Sequence, residues 1–269
     1  MGKKILYLGI SFISLLVIYI FAHYFFKPNN YSNVVVLDSG WDVTYNGNLY
    51  EDVKLSELRK LIGNSTYKGD IITLKNDNVD LGYFISPTLM FDSRFSAWEV
   101  YCGDKLAGHR FLEEYKTGKY IGCELNYVSL PKAFKLSTIQ ITLMVTEDNA
   151  YAYYQAPAVG GYVDLLMYGV YNHMFIYLVG AFLVVFGITF FAVALGFRSN
   201  IPEVNMQMYA ALMYVALGVW FLSQFKLGDL FIETSGHQTE IEYIALYMVV
   251  PLMYMTIGCM RDYLKIKRS

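Results

Sequence analysis

No Asp, Glu, Lys or Arg interrupts the 24 residues from Met174 to Phe197. A run of that length and polarity cannot be kept in water, and it matches the roughly 20 apolar residues that an α-helix needs to cross a bilayer core of about 30 Å. Three other blocks share the property. Ile5 to Phe26 follows Lys3 and Lys4, Met206 to Phe225 holds only Gln207, Ser223 and Gln224 as notably polar groups, and Tyr243 to Met260 carries Pro251 near its centre. Proline is tolerated inside a membrane helix, where it leaves one carbonyl to be satisfied by a neighbour and favours a kink.

Ile5 to Phe26 is too long for the apolar region of a cleavable signal peptide, and it ends in His23-Tyr24-Phe25-Phe26, an aromatic belt and not a cleavage site. It reads as an uncleaved signal anchor. Basic residues then set the orientation. Lys3 and Lys4, Arg198, and Arg261, Lys265, Lys267 and Arg268 fall on one side if the four spans alternate, whereas the stretch from Lys226 to Glu242 is acidic, with Asp229, Glu233, Glu240 and Glu242. Both termini are therefore expected in the cytoplasm, and residues 27 to 172 outside it. The expected organisation is an N-terminus and anchor at 1–26, an extracytoplasmic domain at 27–172, three transmembrane helices at about 174–197, 206–225 and 243–260, and a short basic cytoplasmic tail at 261–269. The chain is thus expected to sit in the cell membrane as a multi-pass protein.

Between the first two blocks the residues change character. Charged residues are 16% of the whole chain, against about a quarter in a soluble domain, while hydrophobic residues are 55% and the mean hydropathy is +0.34. Those averages hide near-uncharged blocks beside an ordinary polar domain. Here β signals dominate. Val34 to Leu37, Trp41 to Tyr45 and Ile71 to Leu74 are short β-rich runs, and Asn46-Gly47 is a strong two-residue hairpin signal. Trp98, Val100 and Cys102 alternate with Glu99 and Tyr101, and Gly103-Asp104 turns into Lys105-Leu106-Ala107. Ile139, Ile141, Leu143 and Val145 alternate with Gln140, Thr142 and Met144. Only Leu55 to Leu61 looks helical. The expected class is α+β: an antiparallel β-sandwich or jelly roll plus four transmembrane helices.

Chemistry-bearing motifs are few. The four histidines, His23, His109, His173 and His237, are far apart. No H-E-x-x-H, G-x-S-x-G, P-loop or Cys/His zinc spacing occurs. No catalytic residue, cofactor or metal ligand is assigned, and a membrane enzyme has little support. Ionisable residues at membrane depth usually mark an ion path, and the four blocks have no Asp, Glu, Lys or Arg. A net charge of -2 argues against nucleic acid. Cys102 and Cys123 invite a disulfide in an exported domain, although the strand pattern suits a buried free thiol at Cys102 equally well. Trp41 and Trp98 fit a core better than a sugar platform. His109-Arg110 with Glu113-Glu114 fits a solvated loop, and Tyr151 to Tyr154 fits a membrane interface or a binding surface. Gly180, Gly187 and Gly196, with Ala192, fit a close helix contact.

Several short motifs, taken in order, resemble one family. Leu37 to Val43, the Tyr45-Asn46-Gly47 turn and Lys68-Gly69-Asp70 resemble the opening of the sensor region in bacterial membrane-bound diguanylate cyclases of the GGDEF family. Trp98 to Tyr101 with Gly103 to Leu106 is similar to their strand-turn-strand, and Gly118 to Gly122 with Val128 to Pro131 to the segment that closes the domain. Gly218 to Ser223 and Tyr247 to Pro251 resemble early helices of the seven-transmembrane receptor bundle with diverse intracellular signalling modules. The resemblance implies an exported jelly-roll sensing domain, a helical bundle, and a cytoplasmic module making cyclic di-GMP. This chain has no Gly-Gly-Asp/Glu-Glu-Phe signature; Gly160-Gly161 is followed by Tyr162-Val163. The short ending reads as a truncation point in that plan, so a sensory input module without a catalytic domain of its own is expected. Its expected partners are the lipid bilayer, an unidentified extracytoplasmic ligand, and a membrane or cytoplasmic signalling partner that supplies output, with a homodimer left open. The alternative is a structural or interaction protein whose sandwich binds an envelope component or carbohydrate without signalling.

Overall fold

In a computed structural model of the protein, the described residues are 16, 20, 33–63, 65–132, 136–151, 154–196, 204–226 and 237–266. The expected anchor at 5–26 lies outside them, apart from Leu16 and Ile20, as does the end of the tail.

Among the described residues, ten strands form two antiparallel sheets. The larger has the order β3 (Asn48–Val53), β2 (Trp41–Tyr45), β4 (Ile71–Asp80), β9 (Leu136–Val145), β6 (Ser96–Cys102), β7 (Lys105–Arg110). The smaller has the order β1 (Val34–Val36), β10 (Ala158–Gly161), β5 (Pro87–Arg94), β8 (Cys123–Ser129). The chain passes repeatedly between the two sheets, so consecutive segments lie face to face as well as edge to edge.

The turn chemistry is that read from the sequence. Tyr45 pairs with Asn48 across Asn46 and Gly47, whose φ angles are +48° and +86°, the left-handed pair that a tight hairpin needs. A cluster centred on Asp70 anchors that turn to β4. Tyr45 Oη and Asn46 Nδ2 donate to its carboxylate at 2.5 and 2.8 Å, and the Tyr67 amide donates at 2.7 Å.

One apolar core lies between the sheets. Trp41, Val43, Ile72, Leu74, Trp98, Val100, Ile139, Ile141 and Leu143 come from the larger sheet, and Leu89, Phe91, Val128 and Val159 from the smaller. The alternation read at Trp98-Val100-Cys102 and at Ile139 to Val145 places those residues inward as expected. Trp41 is fully buried and donates its indole N–H to the Leu37 carbonyl at 2.7 Å. Trp98 meets Phe91 edge-on, with ring centroids 5.2 Å apart.

The smaller sheet is covered on its other face too. Helix α3 (Tyr162–Asn172) seats Leu165 against Met90 and Ala158. The sequence pattern predicts a helix in this domain only at Leu55 to Leu61. There a 3-10 turn at Leu55–Glu57 runs into α1 (Leu58–Ile62), and a further short helix, α2, occupies Leu112–Thr117.

Among the described residues, three long helices follow: α4 (Met174–Gly196), α5 (Val204–Ser223) and α6 (Gln238–Ile266), each long and apolar enough to cross a membrane. They pack in sequence, α4 on α5 and α5 on α6. The α4–α5 seam is built on small residues. A Cβ added at Gly187 would lie 2.7 Å from Val215 Cγ2 and 2.8 Å from the Ala211 carbonyl oxygen, and one at Gly218 2.7 Å from the Gly180 carbonyl oxygen. Gly180 and Gly187 thus serve a contact within the chain. Gly196, read in the same series, has nothing within 4 Å. Pro251 sits inside a continuous α6. That helix begins five residues before the expected 243 because Glu240 and Glu242 lie in its first turns at the edge of the apolar zone, where water and a counter-charge can reach them.

Candidate functional site

Antiparallel pairing of β5 with β8 aligns Asp92 with Leu125 and Arg94 with Cys123. Alternation sends these four side chains away from the inter-sheet core, to the face that meets the long helices. On the opposite side stand His173 between α3 and α4, then Gln224, Phe225 and Lys226 at the end of α5, and Thr239, Glu242 and Tyr243 at the start of α6. Together they line a cavity of about 460 Å³ between the two-sheet domain and the helices. We call this region the juncture.

Each side carries an ion pair, and Lys226 also attracts Asp92 across the cavity. Arg94 Nε donates to Asp92 Oδ2 at 2.8 Å, with both residues on β5, and their side chains are 23% and 16% exposed. Lys226 Nζ donates to Glu242 Oε2, linking the end of α5 to α6, with side chains 8% and 18% exposed. Lys226 has a positive φ of 55°, unusual for a side-chain-bearing residue. The Cys123 amide donates to Thr239 Oγ1 at 2.8 Å, a hydrogen bond from domain to helix. The His173 ring stacks on Phe225 with centroids 3.6 Å apart.

Burial dominates the titration of these groups. It raises Asp92 above the usual carboxylate range against the opposing pull of Arg94 and then Lys226. It also raises the Cys123 thiol and lowers the His173 imidazole. A thiol raised in this way is a poor nucleophile. Among the described residues no group of three or more His, Cys, Asp or Glu is placed to hold a metal ion.

Most residues singled out in the sequence lie elsewhere. Cys102 and Cys123 are free thiols, and the disulfide is not formed. Cys102 is buried on the inner face of the larger sheet, whereas Cys123 is on the outer face of the smaller one. Arg110 of the His109-Arg110 cluster is more than a solvated side chain, since its Nε lies 3.3 Å from Oε2 of the buried Glu124. Tyr151 and Tyr154 are not at a membrane interface. They stack in the core with centroids 4.8 Å apart, and Tyr151 Oη accepts from the Arg94 amide at 3.0 Å. His173 and Gln224 were noted in the sequence and do line the juncture; Asp92, Arg94, Cys123, Lys226, Thr239 and Glu242 were not recognised as a set. A hint was available in Lys226, the one cation of an acidic stretch, placed directly after an apolar run.

A second cavity, of about 710 Å³, opens at the β1 edge beside Val35, Tyr83, Ile85 and Val163. Its lip is open, with Tyr83 and Ile85 85% and 88% exposed, and Asp164 is its one charged lining residue. The juncture has the converging polar groups expected of a functional site.

These features define a class: an α+β protein with a two-sheet antiparallel domain and at least three helices able to cross a membrane. No family model and no curated protein matches the chain. Among solved structures it is similar to the GH31 alpha-xylosidase from Xanthomonas citri at 13% identity and a TM-score of 0.29, over 49% of this chain and 16% of that one. A likeness so slight carries no argument about fold or activity.

Proposed function

We infer that the chain is a membrane-embedded sensory input module. Its jelly-roll-like domain lies outside the cytoplasm, its helices cross the membrane, and a cytoplasmic signalling partner supplies the output. The observation that carries this reading is the juncture. Each side of it holds an ion pair, Asp92–Arg94 on the domain and Lys226–Glu242 on the helices. Each pair stays with its own side if the two sides shift, while the attraction of Lys226 for Asp92 across the juncture changes with their placement. Contacts between domain and helices, such as the Cys123–Thr239 hydrogen bond, are then the ones that change between two states. The motif resemblance to membrane diguanylate cyclases supports cyclic di-GMP as the output.

Deleting the gene should change cellular cyclic di-GMP, and a diguanylate cyclase should co-purify with the full chain from native membranes. Unchanged cyclic di-GMP together with no associated cyclase overturns the reading. Orientation is tested separately. A reporter active only outside the cytoplasm should work when fused after Asn172 and be silent after Ser269.

A further inference from the structure

We propose that the juncture cavity is the binding site for a small zwitterionic solute of the free amino acid class, held between the two-sheet domain and the helices. This deepens the sensory reading and rests on it, since it names what the module would sense.

The argument begins with charge. The lining contains two ion pairs, Arg94 with Asp92 and Lys226 with Glu242, beside the imidazole of His173. The sum is zero, so a solute of net charge would leave water without a compensating counter-charge, an expensive transfer. A wholly apolar solute would instead desolvate charged groups and return no polar contact. A molecule with one carboxylate and one ammonium a short distance apart escapes both costs. Its carboxylate is attracted to Arg94 and Lys226, and its ammonium to Asp92 and Glu242.

Position and size point the same way. One pair of like-charged partners spans the juncture in each case, with Arg94 and Asp92 on β5 and Lys226 and Glu242 on the helices. A zwitterion seated there contacts both bodies with both of its ends, so its affinity depends on how the bodies are placed. That dependence is what converts binding into a shift between states. The volume of about 460 Å³ lies within the range of about 300–1,000 Å³ typical of small-molecule sites, enough for an amino acid. Phe95, Leu125 and Tyr243 supply an apolar wall for a side chain, and Gln155 and Gln224 supply neutral amides. This balance of apolar wall and few placed polar groups is that of small-molecule sites generally.

The test uses the full chain in lipid nanodiscs. Its thermal unfolding is followed by tryptophan fluorescence during titration with glycine, L-alanine and L-glutamine. Propionate, ethylammonium and propionamide are titrated in parallel as the anionic, cationic and neutral fragments. At least one zwitterion should raise the midpoint saturably, and none of the fragments should. Arg94→Gln should weaken that binding at least tenfold. Because single charge removal can damage folding, the double variant Lys226→Met/Glu242→Leu removes one pair as a unit. It should still unfold cooperatively near the parent midpoint yet lose the zwitterion response. No saturable response to any zwitterion, an equal response to propionate alone, or full binding by the double variant each overturns the proposal. A chain that alters cyclic di-GMP but ignores all three zwitterions keeps the sensory role and loses this ligand class. Zwitterion binding without any effect on cyclic di-GMP has the converse meaning.

Discussion

The space between the two sheets and the space between the smaller sheet and the helices are built on opposite terms. Between the sheets, Trp41, Leu89, Ile139, Ile141 and Leu143 are almost completely buried, and Tyr151 is tied down by Ser96 and the Arg94 amide, although Trp98 Nε1 and Tyr154 Oη are buried without a hydrogen-bond partner among the described residues. Behind the smaller sheet the walls carry two ion pairs around a cavity. The same strand, β5, serves both, with Leu89 and Phe91 turned one way and Asp92 and Arg94 the other. A close-packed apolar layer has one good arrangement and resists change. A layer of ion pairs around a cavity lacks that close packing and leaves its two walls more room to shift. The first suits a scaffold and the second suits a moving part.

That contrast is broken most directly from the scaffold side. Trp41→Ala removes a fully buried indole and its hydrogen bond to Leu37, and should cost about 3–5 kcal/mol in unfolding of the two-sheet domain, measured by denaturant titration of the full chain in micelles. A loss below about 1 kcal/mol would mean that the inter-sheet layer is not close-packed. On the other side, Lys226→Met strands Glu242 and should also cost several kcal/mol, about 3–4 for a buried pair that is slightly exposed. The distinguishing result is rescue: adding Glu242→Leu should return most of that loss, whereas no second substitution refills the space left by Trp41.

Smaller effects sharpen the picture. Gly187→Val places new atoms within 3 Å of Val215 and the Ala211 carbonyl, so α4 and α5 must separate, at about 1–3 kcal/mol in detergent-denaturation experiments. Gly196→Val, with nothing nearby, is the matched control. Asp70→Asn tests a polar clamp on the scaffold. Burial tends to raise the Asp70 carboxyl, but the Tyr45, Tyr67 and Asn46 donors outweigh it and hold it below the usual range. Its contribution is therefore present above the ordinary carboxylate pKa and is lost as pH falls through the lowered value. The variant should lose about 1–2 kcal/mol at neutral pH and show a flatter acid limb.

How much of this was legible in the sequence depends on how each residue's environment is distributed along the chain. Strands with one wet face announced themselves: the alternation at Trp98 to Cys102 and at Ile139 to Val145 places the core correctly, and Asn46-Gly47 gives its turn. β5 was not seen, because Met90 is covered by α3 on one face and Leu89 and Phe91 by the core on the other, so its first half has no alternation. β4 was seen only as far as Leu74. Beyond it a bulge between Asn76 and Val79 breaks the period while the pairing with β9 continues. The juncture was illegible for a further reason. Asp92, Lys226 and Glu242 are far apart in sequence, none belongs to a motif, and each alone looks like an ordinary surface charge. Only the fold brings them to one cavity.

The smallest expected effect probes the juncture without removing any charge. Burial lowers the His173 imidazole, which stacks on Phe225, so the neutral ring is the form the folded juncture accepts. The stabilising contribution of a lowered histidine is fully present above its ordinary pKa of about 6.5 and is lost as pH falls through the lowered value. Asp92 works in the opposite sense, because its pKa is raised and protonation on acidification relieves a buried charge. The wild-type pH profile is the sum of the two. His173→Phe keeps a ring against Phe225 and cannot be protonated, so the difference between the two profiles isolates the histidine. Below about pH 6 the variant should become the more stable of the pair, and above about pH 7.5 the profiles should run parallel. Domain-to-helix proximity, followed by cysteine cross-linking across the juncture, should weaken on acidification in the wild type and less in the variant, while the fluorescence of buried Trp41 and Trp98 stays constant. If acid instead loosened the inter-sheet layer and left the juncture closed, the division of the molecule into a fixed and a moving layer would be reversed.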